Sequence, residues 1–257
     1  SRGLVGSEMC IRDRYFYLKS KNPFMSFMKN SLVVLLVLYF TACALQTNDK
    51  SSEKSEKYAF SFSEKYIGLE KNRTFQWLGI PYAQAPVGSL RWKAPRKIID
   101  SEELILPKDK NYCVQRPSSL GGAEGSGDYV GTEDCLYLDI FAPAKKNKSE
   151  LLPVMFWIHG GGNTSGLKDL YDFSKMVKRH DVIVVRINYR LGPFGWFTHP
   201  AIQNFQSDLD KTSNFGTLDI IAALEWVQKN IYLFGGNPEN VTICLLYTSD
   251  AADERSW

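Results

Sequence analysis

Two short runs of consecutive apolar residues constrain the fold of this chain more than any other feature. They are residues 154–158 (VMFWI) and 182–185 (VIVV). Runs of this kind are typical of strands buried on both faces, because a strand with one wet face alternates apolar and polar residues. Between the runs, Leu170, Phe173 and Val177 lie at helical spacing. The alternation of strand and helix predicts an α/β fold with a mostly parallel central sheet and helices on both faces.

The neighbouring segments extend this pattern. Residues 136–141 alternate with a period of two, which predicts a strand. One apolar helical face is followed by Gly235 and Gly236, a typical helix stop, and residues 241–243 begin one more predicted strand. The helical face consists of Ile220, Ala223, Leu224, Val227 and Ile231.

Both termini are predicted to be foreign to the protein. Residues 9–14 (MCIRDR) can be encoded by DNA whose reverse complement, one base out of frame, encodes residues 244–248 (CLLYT). Both ends also resemble translated sequencing-adapter DNA. We therefore expect 1–14 and 244–257 to be artefacts that are no part of the native protein. The alternative is a pair of ordinary tails.

An export signal is predicted within residues 15–43. Lys29 precedes a nine-residue apolar run at 32–40, which is too short to span a membrane. Cys43 follows two small residues, as in bacterial lipoprotein signals, so we expect Cys43 to carry a lipid anchor in a periplasmic or cell-surface protein. The alternative is a plain cleaved signal. Residues 44–57 are polar and predict a solvated linker before a folded domain at 58–243.

The chemically informative residues are 159–163 (HGGGN), directly after the first buried strand. Glycines let backbone N–H groups turn toward a ligand, and two such donors can stabilise an oxyanion in acyl transfer. The alternatives are a tight glycine turn before a helix and a phosphate-binding loop. The P-loop pattern is absent, because no Gly-Lys-Ser/Thr follows the glycines. His159 is expected to support the loop by hydrogen bonding rather than to act as a general base. The net charge of +3 is mild and indicates no nucleic-acid partner.

Four long blocks resemble the N-terminal part of type B carboxylesterases, the cholinesterase-like branch of the α/β-hydrolases. They lie, in the family's order, at 78–92, 133–143, 157–162 and 188–242. The resemblance implies a truncated α/β-hydrolase fold, with oxyanion-hole amides at Gly161 and Gly162 supported by His159 and Gly160. It also implies a disulfide between Cys113 and Cys135, for which two free thiols are the alternative.

The same resemblance implies a serine esterase that acts on small-molecule esters without a cofactor or metal. Its nucleophile is expected in a Gly-x-Ser-x-Gly elbow just after Ile243, and none of the Ser, His and acidic catalytic residues is expected in this chain, which alone should be inactive. A non-catalytic cholinesterase-like binding or adhesion protein is the alternative. A hormone-sensitive-lipase-like esterase would share HGGG but not the block at 133–143. Membrane contact is expected only through the lipid on Cys43.

Overall fold

The computed structural model describes residues 57–60, 65–99, 105, 111–119, 121–144 and 150–246. All of them belong to a unit that spans Lys54–Trp257. The predicted signal with Cys43 and the terminal segment 1–14 lie outside the described residues. The same holds for 247–257, so the described part reaches only the first residues of the second predicted artefact.

Within the described residues, seven strands form one sheet in the order β1-β2-β3-β4-β6-β5-β7. The strands are β1 (Lys57–Phe60), β2 (Ile67–Lys71), β3 (Thr74–Pro81), β4 (Tyr137–Pro143), β5 (Leu152–Ile158), β6 (Ile183–Ile187) and β7 (Gly236–Leu245). Strands β4 to β7 coincide with the four segments that apolar patterning predicted. They confirm that the runs at 154–158 and 182–185 form strands, and the structure shows that these two strands are neighbours.

The pairing of the strands differs from the mostly parallel sheet predicted. Strand β5 is parallel to β6 and β7, but β1 to β4 pair antiparallel and β4 is antiparallel to β6. The reason is local for β2 and β3, which are joined through Asn72 and Arg73, both with positive φ. A connection that short permits only antiparallel pairing, because a parallel neighbour needs a crossover of a dozen or more residues. The described sheet is therefore mixed.

Four α-helices and four 3₁₀ turns connect the strands of the described part. The helices are α1 (Ser174–His180), α2 (Gly192–Gly195), α3 (Pro200–Gln203) and α4 (Phe215–Asn230). The 3₁₀ turns are Gly88–Leu90, Lys168–Leu170, Asp208–Lys211 and Ile231–Phe234. No helix in the described ranges has the length and apolar composition that crossing a membrane requires.

Helix α1 begins later than the spacing of Leu170, Phe173 and Val177 predicted. Leu170 ends a 3₁₀ turn, and Tyr171 is extended, with φ −125° and ψ 139°. The Tyr171 carbonyl accepts a hydrogen bond from Arg186 Nη1 at 2.7 Å, which holds the chain in this extended form. Asp172 then accepts from the Ser174 amide at 2.8 Å and satisfies a donor in the first turn of α1.

The core lies on both faces of the sheet, as predicted. Phe156 and Ile158 pack on one face in a cluster with Ala223 and Val227 of α4. Trp157, between them in sequence, packs on the other face with Val177 of α1. Successive side chains of a strand point to opposite faces, so β5 needs apolar residues at every position. This explains the uninterrupted run at 154–158, and the carboxyl end of β5 lies between those of its parallel neighbours β6 and β7.

Candidate functional site

The loop at 159–166 leaves the carboxyl end of β5, between β6 and β7. Ligands of open α/β sheets bind beyond the carboxyl ends of the parallel strands. Three successive residues of this loop have positive φ: Gly161 at 103°, Gly162 at 58° and Asn163 at 60°. Asparagine is among the few residues that adopt the left-handed region readily. The loop therefore forms a tight left-handed turn.

Glycine is required at 161 for a second reason. A Cβ on Gly161 would lie 2.1 Å from the Ser165 carbonyl oxygen, so the two limbs of the turn touch there. A Cβ on Gly162 would meet no heavy atom within 4 Å, and Gly162 is exposed. The two glycines therefore differ in environment: Gly161 closes the turn, and Gly162 faces open space.

The direction of the Gly162 amide is fixed through the carbonyl of its own peptide unit. The Gly161 oxygen accepts from the amides of Thr164 at 3.1 Å and Ser165 at 3.2 Å, and from Thr164 Oγ1 at 3.0 Å. In a trans peptide, N–H and C=O point in opposite directions. The Gly162 N–H therefore points away from the interior of the turn. Neither Gly161 nor Gly162 donates a backbone hydrogen bond to another described residue.

His159 fixes the direction of the Gly160–Gly161 peptide in the same way. Its Nδ1 lies 2.9 Å from the Gly160 carbonyl oxygen, and since a carbonyl only accepts, Nδ1 carries the proton. That oxygen shares a peptide unit with the Gly161 N–H. The ring is only 1% exposed and stacks on Tyr189, with centroids 4.5 Å apart. Burial lowers the pKa of His159 to about 4, so the ring is neutral at pH 7.

The buried position of His159 is that of a residue supporting the loop. Its Nε2 is buried and has no hydrogen-bond partner in the described part of the chain. The Tyr189 hydroxyl donates to the His159 carbonyl at 3.2 Å, which adds a further contact to the base of the loop. Gly160 contributes the carbonyl that His159 holds. The residues predicted to form and support an oxyanion hole thus lie together in one turn.

Gln115 contacts the far end of this loop, and sequence reasoning did not identify it. It is 3% exposed. Its Nε2 donates to the Gly166 carbonyl at 2.8 Å, and its Oε1 accepts from the Gly166 amide at the same distance. Gln115 lies two residues after Cys113, which forms a buried disulfide with Cys135. This is the pair that the family resemblance implied.

A buried ionic cluster holds the segment after the loop. Lys168 and Asp139 are both fully buried, and Lys168 Nζ lies 2.9 Å from Asp139 Oδ2. Arg186 on β6 pairs with the same carboxylate and with Asp169, each at 2.7 Å. Burial raises the pKa of Asp169, against the lowering effect of Lys168. The cluster ties the 3₁₀ turn Lys168–Leu170 to β4 and β6.

The loop is joined to the sheet on its other side through Asn188. Asn188 Oδ1 accepts from the Lys168 amide at 2.8 Å. Two residues further, Arg190 makes a bidentate pair with Asp219 of α4, at 2.7 and 2.8 Å. Bidentate pairs fix geometry as well as charge. No group of three or more His, Cys, Asp or Glu side chains within the described ranges could hold a metal ion.

Comparison with known proteins points to one family. Residues 63–244 match the model of the carboxylesterase family. Para-nitrobenzyl esterase of Bacillus subtilis is 42% identical over 181 residues, covering 70% of this chain and 36% of the relative. Cocaine esterase of Oryctolagus cuniculus is 42% identical over 173 residues, covering 65% of this chain and 31% of the relative.

A structural neighbour agrees with these sequence relatives. A solved PNB esterase structure aligns with a TM-score of 0.60 at 39% identity, covering 74% of this chain and 38% of that one. The described residues therefore adopt part of the α/β-hydrolase fold. The chain spans about a third of the length of the curated relatives it matches.

Proposed function

This chain belongs to the carboxylesterase family, and on that premise we propose that the full-length protein hydrolyses carboxylic esters with a serine nucleophile. Residues 58–243 would supply its oxyanion hole. In this reaction the serine attacks the ester carbonyl, a histidine takes and returns the proton, and an acidic residue orients the histidine. The amides of Gly161 and Gly162 would donate to the carbonyl oxygen as it becomes negatively charged.

The single observation that carries the proposal is the turn at 160–165. It contains two neighbouring amides that have no acceptor among the described residues, and their peptide units are held by hydrogen bonds to the carbonyl oxygens of Gly160 and Gly161. Donors fixed before the reaction cost no reorganisation when charge develops. Each such donor typically contributes about 3 kcal/mol to transition-state stabilisation.

The position of the expected nucleophile is supported by the register of β7. Val241, Thr242 and Ile243, the last residues of β7 before the predicted artefact, pair in parallel with Val154, Met155 and Phe156 of β5. Native sequence that continued this parallel strand would emerge at the same edge of the sheet as His159 and the glycines. A Gly-x-Ser-x-Gly elbow after Ile243 in the full-length protein would place its serine next to the proposed oxyanion hole. The 257 residues contain no such motif.

The substrate class follows from the relatives. They are named for esters of small molecules, para-nitrobenzyl esters and cocaine, so we propose a small-molecule ester substrate here. We propose that the catalytic histidine and acid come from sequence beyond residue 243; His159 does not suit the role of base, because it is buried and bonded to Gly160. Export and a lipid anchor on Cys43 remain part of the proposal and rest on the sequence alone.

The test is to express the full-length protein and measure hydrolysis of p-nitrophenyl acetate and butyrate, together with labelling by a fluorophosphonate. We expect turnover, and labelling of one serine in the elbow. The 257-residue chain alone is the control and should show neither. A full-length protein that binds esters without turnover, or that has another residue at the centre of the elbow, would overturn the proposal in favour of a binding protein.

A further inference from the structure

We propose that Gln115 is a positioning residue of the oxyanion loop, which it holds through Gly166 from the disulfide-closed segment. This inference rests on the proposed ester hydrolysis and adds a residue to its machinery. Gln115 would touch neither substrate nor nucleophile. It would act by keeping the far limb of the loop against His159 and Gly160.

The side-chain amide of Gln115 is fully used in hydrogen bonds. Its Nε2 donates to the carbonyls of Gly166 at 2.8 Å and Cys113 at 3.1 Å. Its Oε1 accepts from the amides of Gly166 at 2.8 Å and Ala123 at 3.2 Å. Two donors and two accepted bonds match the capacity of a primary amide. A carboxylate at this position would lack both donated hydrogen bonds, and an apolar side chain would lack all four hydrogen bonds.

Gly166 transmits the restraint imposed by Gln115 to the backbone around the Gly161 N–H. A Cβ on Gly166 would lie 2.1 Å from His159 Nδ1 and 2.5 Å from the Gly160 oxygen. Gly166 therefore lies directly against the hydrogen bond that orients the Gly161 N–H. Its own N–H shares a peptide unit with the Ser165 carbonyl, which is the group in contact with Gly161. Since Gln115 binds that N–H, it also sets the direction of the Ser165 oxygen.

The backbone of Gln115 is itself held in place. Its amide and carbonyl pair with those of Val130, at 3.0 and 2.9 Å. Cys113, two residues earlier, is closed onto Cys135 by the disulfide and bridges to Thr132. The Gln115 side chain therefore connects two rigid parts, the disulfide-closed segment and the oxyanion loop, across a sequence separation of 51 residues.

The experiment compares three variants of the full-length enzyme: Gln115→Met, Gln115→Glu and the matched control Gln76→Met. Gln76 is also buried, but it bonds to Thr74 and Ser174 on β3 and α1, outside the loop. We expect Gln115→Met to lower kcat by about 10- to 100-fold, as a misplacement of roughly 1 Å does, with KM changed less than about threefold. Gln115→Glu would place a buried carboxylate oxygen against the carbonyl oxygens of Gly166 and Cys113, so its kcat should fall at least as far.

Two further readouts separate positioning from simple destabilisation. The affinity for a boronic acid, which forms a tetrahedral adduct with the serine, should fall by the same factor as kcat/KM. Amide hydrogen exchange at 159–166 should accelerate in both Gln115 variants. Gln76→Met should lower the melting temperature comparably, yet keep kcat and boronate affinity within about twofold of wild type.

The outcomes are distinguishable. An active wild type whose Gln115→Met variant retains kcat and boronate affinity overturns this inference alone. Equal losses of kcat in Gln115→Met and Gln76→Met overturn it as well, because they indicate general destabilisation. If Gln115→Met does not fold, an unchanged kcat in Gln115→Glu has the same meaning. A full-length wild type without ester turnover overturns the proposed function, and this inference falls with it.

Discussion

Substitution by alanine of Gly161 and Gly162, the two glycines of the proposed oxyanion hole, should have unequal effects on catalysis. In Gly161→Ala the new Cβ would lie 2.1 Å from the Ser165 oxygen, whereas ordinary contacts begin at 3.4 Å. One limb of the turn must then move by about 1 Å, and the φ of 103° lies outside the left-handed region that alanine tolerates. Loss of one aligned donor costs about 3 kcal/mol, a factor of roughly 100 to 1,000 in kcat.

Gly162→Ala is the matched comparison. Its Cβ would meet nothing within 4 Å, and φ is 58°, inside the left-handed region. The cost is about 1–2 kcal/mol of backbone strain, which falls on stability, so kcat should change by less than about tenfold. The assay is steady-state hydrolysis of p-nitrophenyl butyrate by the full-length variants, with thermal melting to show folding. Equal losses of kcat in both folded variants would refute the reasoning.

Three further predictions concern stability of the full-length protein in urea. The pKa of His159 is lowered to about 4 from its usual 6.5, so near pH 5 the unfolded chain binds a proton that the folded protein does not. The contribution of His159 to stability is therefore complete above about pH 6.5, and about 3 kcal/mol of it is lost as the pH falls to 4. The His159→Gln variant should lack this pH-dependent loss. Asp139→Ala should lower the free energy of unfolding by about 3–5 kcal/mol, because it removes the carboxylate that both Lys168 and Arg186 pair with in the protein interior. The control is Asp128→Ala, at an exposed position, and an equal effect of that substitution would contradict the prediction. Cys113→Ala with Cys135→Ala should cost about 3 kcal/mol, given the separation of 22 residues; a reducing agent should destabilise the wild type similarly and leave the double variant unchanged.

The elements that sequence patterning predicted are those whose burial repeats locally. Residues 154–158 are apolar at every position because β5 is covered on both faces, and α4 shows its buried face at helical spacing. The HGGG turn was found because glycine has few reasons to occur three times in succession. These signals lie within a few residues of each other, so one sequence is enough to detect them.

The features that patterning missed depend on residues far apart in the chain. Gln115 and Gly166 are separated by 51 residues, and nothing next to Gln115 distinguishes it from a surface glutamine. Lys168 is fully buried, although lysine is ordinarily exposed, and its fully buried partner Asp139 lies 29 residues away in the sequence. Strands β1 to β3 were not predicted, and the turn at Asn72 and Arg73, which makes β2 and β3 antiparallel, has no glycine or proline to indicate it.

The contacts that order the loop share one property: most of them act on carbonyl oxygens. His159 holds the Gly160 oxygen, Thr164 and Ser165 hold the Gly161 oxygen, and the Gly192 amide holds the Asn163 oxygen at 2.7 Å. If either glycine peptide rotated to satisfy its own N–H, it would break those bonds, at about 1 kcal/mol net for each, and would leave their donors without an acceptor. A loop held by its acceptors therefore keeps its donors available for a negatively charged oxygen. A loop held by its amide donors would have none left to offer.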